Sequence, residues 1–463
     1  MMESSISVAQ QVATHAGPRV ARSGVRLRGP LLTMFVAVLT IYILEYSTYL
    51  VRSHAADKII KSLALLILIV AFPYQRLPRR FIIVLALYAA LFFFTGLPAV
   101  VRLDANGLLQ LLKVVLQFAT LPLILCRFVH DLPPPLRLLR LPIVWAVVFA
   151  LQGVSLFFLV VARHEPTPTT VMVGRLDNMT EKDFGIFGYG NTYGWNAAGG
   201  KPYIRPQGWF LEPTNLAAFM IYPAFMSWGL YRTKRRLWYL FAAAVCLMGV
   251  AFAFSLTGYM SLGAAAMALL MVRPRRREQG GPSPVRRLIG PILIAIGFLL
   301  FANYLMSRMY AISDSRSGTL IYYLLGRSRD SQKLVQDYWG LDPALALIRQ
   351  NPFGIGLGHT LGLNEVDTSA NAFIYWMVAA GVGGVLVVLL LYACLFYWFV
   401  IPCLSSRVPF IRMSAAAFAG TTVQGLQYGN WLNPWYLFTV AMMMLCGYYA
   451  DRTARGFSAY PQR

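Results

Sequence analysis

Acidic side chains are scarce in this chain: 18 Asp and Glu stand against 41 Lys and Arg, and charged residues fill only 13% of 463 positions. A soluble domain carries about 25% charge, so close to half of the charge that water demands is missing. With 58% hydrophobic and 14% aromatic residues and a mean hydropathy of +0.58, the deficit excludes an ordinary soluble enzyme. It fits a surface solvated by lipid. Cysteine is equally sparse. Cys126, Cys246, Cys394, Cys403 and Cys446 lie inside or at the ends of apolar segments, with no C-x-x-C pair. They read as free buried thiols, not as a disulfide framework or a zinc site.

Other absences narrow the function. No G-x-x-x-x-G-K-[ST] and no G-x-G-x-x-G at a strand-to-helix junction occurs, which argues against ATP or a dinucleotide. No H-E-x-x-H occurs either, and Glu365-Val-Asp367, a close outward carboxylate pair, is by its spacing alone a weak signal for a divalent cation. Neither a metal nor a cofactor is expected. No internal repeat or inverted pair of broken apolar segments is found, against the usual pattern of secondary transporters. The first 28 residues are polar and small, and the apolar run after them is long enough to remain as a helix instead of a cleaved signal.

What is present is a series of apolar runs near the ~20 residues a spanning helix needs. They cover 30–50, 59–74, 81–101, 108–126, 141–162, 211–230, 238–255, 257–272, 288–306, 382–401, 410–427 and 432–450. The expected fold is all-α: a polytopic membrane helix bundle of about 12 transmembrane helices with two large periplasmic loops. Residues 1–29 form a basic cytoplasmic tail, 30–162 a five-helix block and 163–210 the first large loop. Residues 211–306 hold the central helices, 307–381 the second large loop, 382–450 the C-terminal helices and 451–463 a cytoplasmic tail. The Ser255–Gly258 connection reads as a tight hairpin at the membrane surface.

The net charge of +23 would suit nucleic acid, but its placement does not. Arg19/Arg22/Arg26/Arg28, Arg76/Arg79/Arg80, Arg127/Arg137/Arg140, Arg232/Lys234/Arg235/Arg236, Arg273–Arg287, Arg407/Arg412 and Arg452/Arg455 sit between apolar runs. Twelve spans put all of them on one face, which the positive-inside rule makes cytoplasmic. The expected location is a bacterial inner membrane, multi-pass, with both termini cytoplasmic. Glu165, Asp177, Glu181, Asp183, Asp314, Asp330, Asp337, Asp342, Glu365 and Asp367 land outside with the two long loops, and long loops are usually functional.

Two stretches draw chemical interest. The first runs Arg205-Pro-Gln-Gly-Trp-Phe-Leu-Glu212-Pro-Thr-Asn215 into the sixth span. A carboxylate at the mouth of an apolar span is expensive unless paired or working, and Arg205 is the natural partner. Read structurally, the pair anchors the loop. Pro213 suits the first turn of the helix, where its missing N–H costs nothing. The second loop gathers Arg308, Arg316, Arg327, Arg329 and Arg349, then Asn351-Pro-Phe-Gly354-Ile-Gly356-Leu-Gly358-His359. Arginine makes bidentate contacts to phosphate oxygens without losing its charge, and glycines let backbone approach a ligand closely. Glu45, Lys61 and Lys113, near the ends of apolar runs, read as structural or snorkelling groups.

At these residues the chain resembles the O-antigen polymerase and O-antigen ligase superfamily. The resemblance rests on R-P-Q-G-W-F-L-E-P-T-N, S-L-T-G-Y at Ser255–Tyr259, W-G-L-D-P-A-L-A-L-I-R-Q-N-P-F-G-I-G-L-G and Ala370-Asn-Ala-Phe-Ile-Tyr-Trp. It implies joining of sugars carried on undecaprenyl pyrophosphate, with Arg205, Asn215, Asn371 and the second-loop arginines binding substrate and Glu212 or His359 as base. Partners would be lipid-linked oligosaccharide and membrane lipids, with a chain-length regulator and a flippase. Ligases of the family carry a histidine–asparagine pair where this chain has Ala370 and Asn371. The missing histidine favours a repeat-unit polymerase over a ligase acting on lipid A core. A non-enzymatic transporter of lipid-linked sugar is the third reading, and few central polar residues support it.

Overall fold

The computed structural model describes residues 29–47, 54–72, 74–130, 136–163, 179–183, 189–193, 203–210, 213–253, 255–271, 347–356, 372–428 and 433–454. Helices dominate them. Six precede the first large loop: α1 (Gly29–Ser47), α2 (His54–Ala71), α3 (Arg79–Val101), α4 (Ala105–Phe118), α5 (Thr120–Phe128) and α6 (Arg137–Arg163). Then come α7 (Pro213–Lys234), α8 (Leu237–Phe252) and α9 (Leu256–Met271). The C-terminal part holds α10 (Ala372–Leu395), a π-type turn (Phe396–Val400), α11 (Ile401–Ser405), α12 (Pro409–Tyr428) and α13 (Pro434–Ala454).

Eleven of the twelve apolar segments coincide with helices, and the remaining one, 288–306, lies outside the described residues. The fourth segment is two helices meeting at Ala119. Local chemistry sets several boundaries. The Asp104 carboxylate accepts from the Asn106 N–H and caps α4, and the Ser255 hydroxyl accepts from the Gly258 N–H at 3.3 Å and caps α9. Thr257 and Gly258, read as part of the connection, are already in the first turn of α9.

Four described stretches are long and apolar enough to cross a membrane: Arg79–Val101, Ala105–Phe128, Leu138–Leu156 and Val378–Ser405. Their outer surfaces are apolar. Phe93 and Leu386 are each 62% exposed among many such neighbours, a density that water does not tolerate on a monomer. This is a membrane protein.

The helices associate through small residues and hydroxyls, as lipid-solvated helices do. A Cβ on Gly420 would stand 2.7 Å from the Ser261 carbonyl, so glycine is what lets α12 meet α9. Tyr436 on α13 hydrogen-bonds Tyr392 on α10 at 2.9 Å and Thr422 on α12 at 3.2 Å. One end of the bundle is tied by polar contacts between helix termini. Arg80 pairs with Asp451 at 2.9 Å, the Gln75 N–H donates to the Cys126 carbonyl, and His130 lies 3.0 Å from the Arg76 carbonyl.

One feature departs from the all-α expectation. The stretch read as the first loop carries a three-stranded antiparallel sheet, β1 (Met179–Asp183), β2 (Tyr189–Tyr193) and β3 (Tyr203–Gly208), in the order β1-β2-β3. Tyrosine, threonine and isoleucine favour these strands. Each strand, five or six residues long and with Gly or Pro inside β2 and β3, is too short for a clear alternating pattern.

Candidate functional site

The sheet leads directly into the first stretch of interest. Arg205 lies on β3 opposite Asn191 of β2. The strand ends at Gly208, whose φ of +59° and close approach to Gln152 (a Cβ would stand 2.9 Å from its Oε1) require glycine. Two residues on, Phe210 is fully buried. Its ring packs edge-to-face on Phe149 of α6 at 5.2 Å and against Phe219 of α7 at 5.3 Å. This aromatic anchor fixes the point where the chain turns from sheet to helix. The helix α7 then begins at Pro213, as the sequence predicts. Thr214 is buried and Asn215, in the first turn, is half-buried. The structure thus puts Arg205 and Asn215 on either side of one strand-to-helix junction. Glu212, between them in sequence, lies outside the described residues. A helix N-terminus presents unpaired N–H groups and partial positive charge, which suits an anion.

The second stretch docks on a broken helix. Gly381 has φ +63° and ψ −159° inside α10, which frees backbone groups that an unbroken helix would pair. The 351–356 segment takes them up. The Ile355 N–H donates to the Val378 carbonyl and the Gly356 N–H to the Ala379 carbonyl, both at 3.0 Å, while the Val382 N–H donates to the Pro352 carbonyl at 3.0 Å. Irregular backbone beside apolar helices survives only when its polar groups are satisfied in this way. Both Gly354 and Gly381 have positive φ, and a Cβ on either would collide with the other segment: Gly354 with the Ala379 carbonyl, Gly381 with the Pro352 carbonyl. The glycines read as room for a ligand therefore include two, Gly354 and Gly356, that face protein instead. A Cβ on Gly356 would meet Pro98 of α3 at 3.2 Å.

Arg102 holds the same segment from the end of α3, its guanidinium donating to the Ile355 carbonyl at 3.3 Å. Sequence reading passed over this residue. Its signal was its position: an arginine at the end of an apolar span, away from the basic clusters. Arg349 is exposed on the single helical turn at 347–350, just before the docked segment. Arg308, Arg316, Arg327, Arg329, His359, Glu365, Asp367 and Asn371 lie outside the described residues.

No protein-family model matches the chain, and no curated protein matches it. Among the described residues, no three His, Cys, Asp or Glu side chains gather as metal ligands would. All five cysteines are free; Cys246, Cys403 and Cys446 are buried, Cys126 and Cys394 half-buried. Lys61 pairs with Asp57 one turn away at 2.6 Å and Lys113 is exposed, in keeping with a structural part for both. The two stretches that the sequence singled out are alike in one respect: each is irregular chain pinned to helices by an anchor of its own. That arrangement holds loop-borne polar groups at fixed places beside a bundle.

Proposed function

We propose that this protein is a membrane glycosyltransferase of the bacterial inner membrane that polymerises undecaprenyl-pyrophosphate-linked oligosaccharide repeat units into O-antigen or exopolysaccharide. Twelve spans with both termini cytoplasmic put its two large loops in the periplasm. The observation that carries the reading is the strand-to-helix junction at Arg205–Asn215. There the stretch that resembles the polymerase and ligase superfamily is clamped by Phe210 beside a helix N-terminus.

In the proposed reaction a terminal sugar hydroxyl of one lipid-linked unit attacks the anomeric carbon of a growing chain. The bond from that carbon to the pyrophosphate oxygen breaks as the new glycosidic bond forms, and undecaprenyl pyrophosphate leaves. Arg205 and the second-loop arginines Arg308, Arg316, Arg327, Arg329 and Arg349 supply fixed positive charge to the departing pyrophosphate. Such preorganised charge needs no metal. Glu212 or His359 takes the hydroxyl proton, a contribution of ~10²–10⁴-fold in rate. Asn215 and Asn371 hydrogen-bond the sugars. A single in-line displacement inverts the anomeric centre, by the geometry that governs inverting glycosidases. Product formation by purified protein from lipid-linked repeats alone tests the reading, and a requirement for lipid A core as acceptor would mark a ligase instead.

A further inference from the structure

A second polar feature lies at the other ends of these helices. A cleft of about 220 Å³ opens between the start of α6 and the start of α8, lined by Arg140, Ile143, Val144, Arg236, Trp238 and Tyr239. A water occupies about 30 Å³, so the space accepts a group the size of a phosphodiester. Lys234, at the end of α7, adds a third cation to the cluster. Its ammonium is pushed below the usual lysine range, first by partial burial and then by the charges of Arg140 and Arg236. Like charges crowd here, and among the described residues no carboxylate pairs with Arg140, Lys234 or Arg236. The backbone beside the cluster is strained: Arg235 has φ +55°, a left-handed conformation that L-residues with a Cβ rarely adopt. That turn, closed by the Arg235 N–H on the Tyr231 carbonyl at 2.7 Å, sets Arg236 at the head of α8.

Beyond the arginines the surface is apolar. Leu237, Trp238 and Phe241 on α8, with Val144 and Val148 on α6, are all exposed. A mouth of guanidinium groups with an aromatic collar and an apolar surface beyond it matches a lipid with a charged headgroup and acyl tails. Tryptophan and tyrosine favour the headgroup level of a bilayer, and basic pockets between helices on the cytoplasmic side hold anionic headgroups. Arginine grips a phosphate through two parallel N–H bonds, which a diffuse surface charge does not.

We infer that the Arg140–Arg236 cleft binds the phosphate of an anionic phospholipid, with its acyl chains along the apolar faces of α6 and α8. The topology proposed above puts it in the cytoplasmic leaflet, away from the sugar chemistry, so the site does not depend on the polymerase reading.

The test uses the full chain in phosphatidylcholine nanodiscs with added phosphatidylglycerol, lipid retention being read by native mass spectrometry. The double variant Arg140→Gln/Arg236→Gln should need at least tenfold more phosphatidylglycerol for the same retention. The control Arg76→Gln/Arg79→Gln removes the same charge from exposed positions elsewhere and should stay within twofold of wild type. Equal loss in both would reduce the cleft to general surface charge and overturn the inference. So would displacement of the lipid by millimolar inorganic phosphate, since the cleft would then be a free-anion site. A second readout needs no change to the arginines. Phosphatidylglycerol brominated near its acyl carbonyls should quench wild-type tryptophan emission more than equally brominated phosphatidylcholine, and the excess should vanish in Trp238→Phe. Equal quenching by the two lipids would likewise overturn it.

Discussion

Arg205 and Glu212, seven positions apart in the sequence, carry the sharpest consequence of the proposed reaction. If Arg205 grips pyrophosphate, Arg205→Lys should lose most polymer, because an ammonium lacks the planar fork. Glu212→Gln keeps shape and hydrogen bonding but removes basicity, so polymer should fall by ~10²-fold or more while the protein stays inserted. The double variant Arg205→Ala/Glu212→Ala separates catalysis from architecture. A salt bridge that merely anchors the loop should be partly rescued when both partners go, because no unpaired buried charge remains. Two separate roles should show no rescue. Gel-resolved polymer, normalised to inserted protein, is the measurement, and wild-type polymer from Glu212→Gln would leave His359 as the base. At this scale part of the site was legible. Pro213 announced a helix start, and the helix begins there. Arg102 was not read, because its partner, the Ile355 carbonyl, lies 253 positions away in sequence and belongs to backbone. A bond to backbone leaves no side-chain pattern.

Among the elements, the docking of 351–356 on the broken helix α10 is the most exposed to test. Gly381→Ala puts a Cβ against the Pro352 carbonyl at a φ of +63°. The left-handed penalty is about 1–2 kcal/mol, and backbone against backbone cannot yield as a side chain would. A loss of at least ~3 kcal/mol in total is expected, within the range that strain and overpacking produce. Hydrogen exchange reads it out: the Ile355 and Gly356 amides should exchange slowly in the wild type and at least tenfold faster in Gly381→Ala. Unchanged protection would mean that the segment is held by something other than the break. A parallel prediction concerns the first junction. Phe210→Ala removes a fully buried ring held between Phe149 and Phe219 and should cost about 3–5 kcal/mol, seen as a lower unfolding temperature of the detergent-solubilised protein.

These two elements also show where pattern reading stops. Apolar length placed α3, α7, α8, α12 and α13 within a few residues of their ends, since burial in lipid leaves a long and uniform signature. The helix α10 begins at Ala372, ten residues ahead of the expected start at 382. Gly381, just before that expected start, is a break inside the helix, and the backbone groups it frees are satisfied by the 351–356 segment. The small sheet escaped for a different reason. Strands of five or six residues, two of them containing Gly or Pro, have no period long enough to stand out from a loop.

For the whole molecule, the account requires a definite orientation. Reporter fusions near residues 185 and 340 should read periplasmic, and those near 234 and 280 cytoplasmic. A reversal at any one of them would break the twelve-span topology. Fixed arginine charge in place of a metal gives a further expectation: polymerisation should survive excess chelator. Loss of product restored by magnesium or manganese would promote Glu365 and Asp367 to ligands. The central claim is tested most directly by one reaction. Purified protein, reconstituted in liposomes, is given undecaprenyl-pyrophosphate-linked repeat units with no lipid A core present. The account predicts a ladder of products differing by one repeat unit, with free undecaprenyl pyrophosphate released in equal number to the bonds formed. Substrate left unchanged until core acceptor is added, or carried across the bilayer without any new glycosidic bond, would contradict it.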